Sequence, residues 1–324
     1  MDRPNIRGGI PLRPRDRKIA QNLEAGLLSF DQEKQPLPGI HDSRIRGIFL
    51  EQLLESIHRV TYVSVIRTRN LSERNTDPYD VMFDPVKAAV VHQRQGRIDE
   101  AFWMVFLFVH FGMNPKGGWR YARDIYGCLG SGSRWDWERT STNIAEFRKW
   151  LADHQFELKR EGVPGGFGNH RKYESLCADS PHGTGAVVES YVSWVGISKH
   201  HHVIMEQANQ QAGGDPRKGF DILYQSMQVV ARFGRTARFD YLAMIGKLGL
   251  APIEPGFPYL QNSNGPLRGA RLLFGDEEMT RFRTSDLDSW LFELGADLGI
   301  GMQVIEDALC NWQKSPAILK RFRG

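Results

Sequence analysis

The sequence predicts an all-α fold with little or no sheet, from three observations. Helix starts of the acid-then-proline kind recur at Asp84-Pro85 and Asp215-Pro216, where the side-chain oxygen caps the first turn and the missing proline N–H is no loss. Apolar residues return every three or four positions, as in Phe239, Leu242, Ile245 and Leu248, which is the period of a half-buried helix. The one β-branched run, residues 60–66, has no companion strands bounded by turn residues.

Taken in order, the chain opens on a basic stretch, with Arg3, Arg7, Arg13, Arg15, Arg17 and Lys18 set among Pro and Gly. It reads as a disordered or loosely docked arm, with contact to the minor groove or phosphates of nucleic acid as the functional alternative. Asp42-Ser43 caps a helix through Ile48, Phe49, Leu53, Leu54 and Ile57, and residues 70–80 are a polar loop. Asp84-Pro85 begins a helix carrying Lys87, His92 and Arg94. Residues 99–111 are then almost wholly apolar, so that helix must lie buried at the centre of the fold. His110 at its end is either a satisfied core histidine or a residue facing a site. Residues 112–119 form a turn with Lys116, and Trp135 and Trp137 are expected to pack.

Asn143 caps a helix through Phe147, Trp150 and Leu151. Asp215-Pro216 starts another through Phe220, Leu223, Met227 and Val230. Thr236 is the expected cap of a further helix ended by Gly249, with Asp240 near its start in a capping or dipole role. Residues 252–269, holding Tyr259 and Arg268, read as a structured loop, and helices over 286–294 and 302–312 close the chain.

Composition bounds the function. With 324 residues, 41% hydrophobic and 25% charged, there is room for one large domain or two modest ones. A formal charge of +4 and a pI near 8.9 suit nucleic acid without requiring it. Cys128, Cys177 and Cys310 are scattered, with no CxxC pair, which argues against structural zinc or a disulfide framework and for a reducing cytoplasm. No leader and no bilayer-length apolar run is read. His200-His201-His202 point in different directions on a helix and cannot converge on one ion. No metal, no cofactor and no membrane partner is therefore expected. There is no P-loop, dinucleotide fingerprint or zinc-deaminase pattern.

The chemistry concentrates around residues 162–195. Pro164-Gly165-Gly166-Phe167-Gly168 can make a tight turn. Asn169 then reads as an N-cap, with residues 170–176 as the first turns of a helix. Backbone amides at such a turn, beside Arg171 and Lys172, make a phosphate site; an ordinary basic helix corner is the plain alternative. Glu189 follows on an Ala-Val-Val-Glu-Ser-Tyr segment.

This arrangement resembles the hairpin of the helix-hairpin-helix DNA glycosylase superfamily, which grips DNA backbone through main-chain amides. Glu189 falls where that superfamily places its catalytic carboxylate, and Gly234-Arg235 resembles its later Gly-Arg element. There is one extra glycine, and Glu replaces the usual Asp. A closer resemblance, over residues 80–275, is to the family described as alpha-glutamyl/putrescinyl thymine pyrophosphorylase, clade 3. Four blocks carry it, at residues 82–89, 99–103, 166–175 and 265–272.

The resemblance implies a helix-hairpin-helix fold, a DNA partner, double-stranded with modified pyrimidines, and chemistry at a flipped-out base. Glu189, Lys172 and His170 are the expected catalytic residues. Gly165, Gly166, Gly168, Asn169, Arg171, Arg235 and Arg268 are the expected DNA contacts. The expected division is a basic arm and lead-in over 1–40, a catalytic region over 41–275 and C-terminal helices over 276–324. Three functions compete: excision of a hypermodified pyrimidine in defence against phages, displacement of pyrophosphate from a modified thymine, and non-catalytic binding. The carboxylate position favours the first, and the family description favours the second.

Overall fold

The computed structural model describes residues 14–160, 163, 165–276, 278 and 281–320. Helices α1 (Pro14–Glu33) and α2 (Ser43–Ile66) come first. Then follow α3 (Pro85–Arg94), α4 (Ile98–Phe111), α5 (Arg120–Tyr126), α6 (Trp137–Thr142), α7 (Ile144–Leu158) and α8 (Thr184–Val195). The last six are α9 (His201–Gln211), α10 (Pro216–Ser226), α11 (Arg235–Leu248), α12 (Gly265–Leu273), α13 (Thr284–Leu298) and α14 (Met302–Trp312). No strand forms among the described residues, only two isolated bridges, so the fold is all-α as expected. Of the N-terminal arm, Arg3, Arg7 and Arg13 lie outside the described residues. Arg17 and Lys18 are exposed on α1.

The described residues divide into two compact units, 14–63 with 255–320, and 64–254. The first unit closes on one apolar core. Leu23, Leu27 and Phe30 of α1, Phe49 and Leu53 of α2, Leu291 and Leu294 of α13, and Ile305, Leu309 and Trp312 of α14 are all buried there. Phe49 tilts on Trp312 at 4.8 Å.

The 252–269 segment differs from expectation, because a helix begins inside it, at Gly265-Pro266. Gly and Pro near the start weaken the helical signal, but proline is at home in a first turn. Gly269 is required for packing, since a Cβ there would meet the Leu309 carbonyl oxygen at 2.5 Å. The β-branched residues 60–66 form the last turns of α2.

The second unit is built around α4. Every residue from 101 to 107 is at most 1% exposed, as an all-apolar helix requires, and each large side chain there contributes about 1.5–3 kcal/mol of burial. Helices α3, α5, α6, α9 and α11 pack against it. Trp135 and Trp137 are core residues, as expected, and the Trp103 indole donates to the Trp135 carbonyl at 2.8 Å. The acid caps also form. Asp84 accepts from the Val86 and Lys87 amides, and Asp215 accepts from those of Arg217 and Lys218.

A buried polar chain threads this core. The Tyr241 and Tyr191 hydroxyls are 2.7 Å apart, Tyr191 meets His201 Nε2 at 2.8 Å, and His201 Nδ1 meets Asp99 at 2.8 Å. Burial lowers the His201 pKa. The neutral ring therefore donates from Nδ1 to the carboxylate and accepts from Tyr191.

Candidate active site

Residues 170–176 are not the helix that local sequence suggests. A single 3₁₀ turn, Asn169–Arg171, forms, and Ser175 then bridges to Gly183. The cause lies at the C-terminus of α4, whose last carbonyls have no partner within the helix. Gly168 N–H donates to the Phe111 carbonyl at 2.7 Å, and Arg171 Nε donates to that of Val109 at 2.8 Å. These bonds, with a cation placed at the negative end of the helix dipole, outcompete seven residues that would be a marginal helix. Gly168 permits the approach: a Cβ there would meet the Gly112 backbone at 2.9 Å. The glycine-capped helix of this region is instead α8, with Gly183 as its N-cap.

Turning inward to cap α4 buries Arg171, which is only 8% exposed. Its Nη2 makes no hydrogen bond. It faces Asp240 Oδ2 across 3.8 Å, too far for a hydrogen bond and close enough for one ligand oxygen or water to bridge the two. Asp240 sits in the second turn of α11, beside Tyr241 of the buried chain. Its side chain is part-buried, with 40% of it open to solvent. Burial pushes its pKa up, against the pull of Arg171, His170, Arg235 and Lys247; the opening to solvent moderates that push. Burial likewise lowers the Arg171 pKa, opposed by Asp240 and Glu174. The result is a part-open carboxylate on which several cations act.

The turn is braced on its far side. Glu174 accepts from Arg232 Nε and Nη2, each at 3.1 Å. Between the anchored Arg171 and Glu174, Lys172 and Tyr173 project into solvent, with Lys172 Nζ 4.8 Å from the Tyr173 ring centroid. Asn169 and His170 are also exposed, and Gly165 and Gly166 are partly so. Arg235, at the start of α11, is buried with its guanidinium 4.6 Å over the Phe239 ring. His170, Arg171 and Arg235 all act electrostatically on Asp240.

Glu189 lies in the second turn of α8 rather than at the helix start, and pairs with Arg148 of α7. Arg268 is exposed on α12, in the other unit. His110 is a core histidine bonded to Thr184 at 2.9 Å, with burial lowering its pKa to about 3. Of the three consecutive histidines, His201 is buried while His200 and His202 are exposed. Among the described residues no group of three His, Cys, Asp or Glu is arranged to hold a metal.

Asp240 is not among the residues expected at the site. Its only sequence signal is an acid between Phe239 and Tyr241, on a helix whose neighbouring positions are apolar.

The described residues form an all-helical protein in which Arg171, next to a glycine turn, faces the Asp240 carboxylate. The chain belongs to the alpha-glutamyl/putrescinyl thymine pyrophosphorylase family, clade 3, whose family model matches residues 44–324. No curated protein and no solved structure matches it. Among the described residues no helix is long and apolar enough to cross a membrane.

Proposed function

We propose that the chain is an enzyme acting on a modified thymine in DNA, with Asp240 and Arg171 at its reacting centre. One observation carries this: Arg171 Nη2, which makes no hydrogen bond, faces Asp240 across 3.8 Å, where His170, Arg235 and Lys247 add their charge. Cations converging on an accessible carboxylate suit departure of an anionic group. The family name supplies a matching reaction, in which pyrophosphate leaves a thymine and an amine takes its place. The carbon–oxygen bond to pyrophosphate breaks and a carbon–nitrogen bond forms. The departing oxygen's electron pair stays on pyrophosphate, held by Arg171, Arg235 and His170. Asp240 accepts the amine proton, a role that its raised pKa favours. The exposed Lys172 holds DNA phosphate beside this centre.

A second reaction, excision of the modified base in phage defence, is favoured by the openness of Asp240. A carboxylate open to a deoxyribose can stabilise oxocarbenium charge and orient a water. Asp240 is a stronger candidate than Glu189 for either role, because Glu189 is already matched by Arg148.

One experiment tests both. DNA carrying a pyrophosphorylated thymine is incubated with protein and putrescine or glutamate, then analysed for pyrophosphate, free base and alkali-labile sites. Pyrophosphate release with an amine-bearing base retained in DNA identifies the transferase; free base with alkali-labile sites identifies the glycosylase. Asp240→Asn should lower the rate about a hundredfold or more while DNA affinity holds. Full activity in that variant would sink the assignment.

A further inference from the structure

The turn that places Arg171 opposite Asp240 also carries an aromatic ring that the fold leaves in water. The Glu174 amide donates to the Arg171 carbonyl at 2.9 Å, which makes Lys172 and Tyr173 the two central residues of a tight turn. Tyr173 is 81% exposed. We propose that Tyr173 is a base-stacking residue, which fills the place in the DNA duplex vacated when the modified thymine leaves the stack. This deepens the proposed function and rests on it.

Single exposed apolar side chains are common on protein surfaces, and three features set this one apart. The first is rigidity. On one side of the turn, the buried Arg171 is held to the Val109 carbonyl at 2.8 Å. On the other, the Glu174 side chain is only 10% exposed and bonds two nitrogens of Arg232. Arg232 itself is held at φ 60°, a left-handed conformation that an arginine keeps only where its surroundings enforce it. The Thr184 amide then fixes the Ser175 carbonyl at 2.8 Å. A ring presented from a backbone already fixed loses little freedom when it binds.

The second feature is the charge beside the ring. Lys172 Nζ lies over it, 4.8 Å from the centroid, an attractive arrangement for a cation and a π face. The opposite face stays open. A nucleobase can stack there while the ammonium meets a neighbouring phosphate, and stacking of this kind accepts any base because every base has a π face.

The third is location. Two residues of chain span at most about 7 Å, so Tyr173 stands beside the Arg171–Asp240 pair. A base in a duplex must be extruded before an enzyme can act on it, at the expense of its stacking. A side chain inserted at the vacated step offsets that loss.

Two fluorescein-labelled duplexes of unmodified sequence test the assignment, one intact and one with a tetrahydrofuran abasic analogue in place of a single thymidine. Their affinities for the full chain are read by anisotropy. The parent should prefer the gapped duplex. Tyr173→Ala should weaken binding to the gapped duplex about five- to a hundredfold and erase the preference, with its melting temperature unchanged. Tyr173→Phe should keep the preference. Lys172→Ala should weaken both duplexes by a similar factor, with a shallower salt dependence. The proposal is overturned if Tyr173→Ala retains the parent's preference, if Tyr173→Phe loses it, or if the parent shows none. The proposed function fails by a different result: DNA carrying a pyrophosphorylated thymine that yields neither pyrophosphate nor free base.

Discussion

Replacing Glu100 by Gln should change how the stability of the second unit responds to pH. Burial raises the Glu100 pKa to about 7 from an ordinary 4.5, although the Trp137 amide and Tyr126 hydroxyl favour the ionised form. Between those two values the folded protein holds up to one proton more than the unfolded chain. Unfolding free energy therefore falls as pH rises through that window, by at most about 1.4 kcal/mol per unit. Across the whole shift the loss amounts to about 3 kcal/mol, complete once the pH passes the folded value. A glutamine cannot ionise. It keeps an oxygen for the Trp137 N–H and can turn its amide toward the Tyr126 oxygen. Glu100→Gln should accordingly match the parent near pH 5 and exceed it by about 2–3 kcal/mol at pH 8. Urea unfolding followed by tryptophan fluorescence, run at intervals from pH 5 to pH 8, measures the difference. Parallel curves for parent and variant would refute a raised Glu100 pKa.

Other substitutions have equally definite outcomes. Arg171→Ala removes the bond that caps Val109 and strips a buried cation from beside Asp240, so denaturant midpoints should report a loss of about 2–4 kcal/mol. Phe106→Ala opens a void beside Tyr191, whose ring lies 4.1 Å away, and should cost about 3–5 kcal/mol by the same measurement. Glu189→Gln breaks a part-exposed pair with Arg148, worth about 0.5 kcal/mol, and should leave turnover intact; a hundredfold drop would return the catalytic role to Glu189.

Much of the fold was legible in the sequence because the relevant forces are local. Asp84-Pro85 and Asp215-Pro216 start helices where they stand, since a cap needs only its own next three residues. The apolar run at 99–111 had to be buried on every side, and its helix sits at the centre of its unit. The site was legible only in part. The sequence singled out the glycine turn, His170, Arg171 and Arg235, and in the structure those three side chains act on Asp240. The sequence could not show that residues 170–176 would give up a helix, because the deciding partners are the Phe111 and Val109 carbonyls, about sixty positions earlier in the chain. Nor could it distinguish Asp240 from a dipole residue. Its meaning comes from Arg171, brought opposite it by the turn that caps α4. Helical periodicity assigns a residue to a face, whereas the charge that faces it across the fold is fixed by tertiary packing alone.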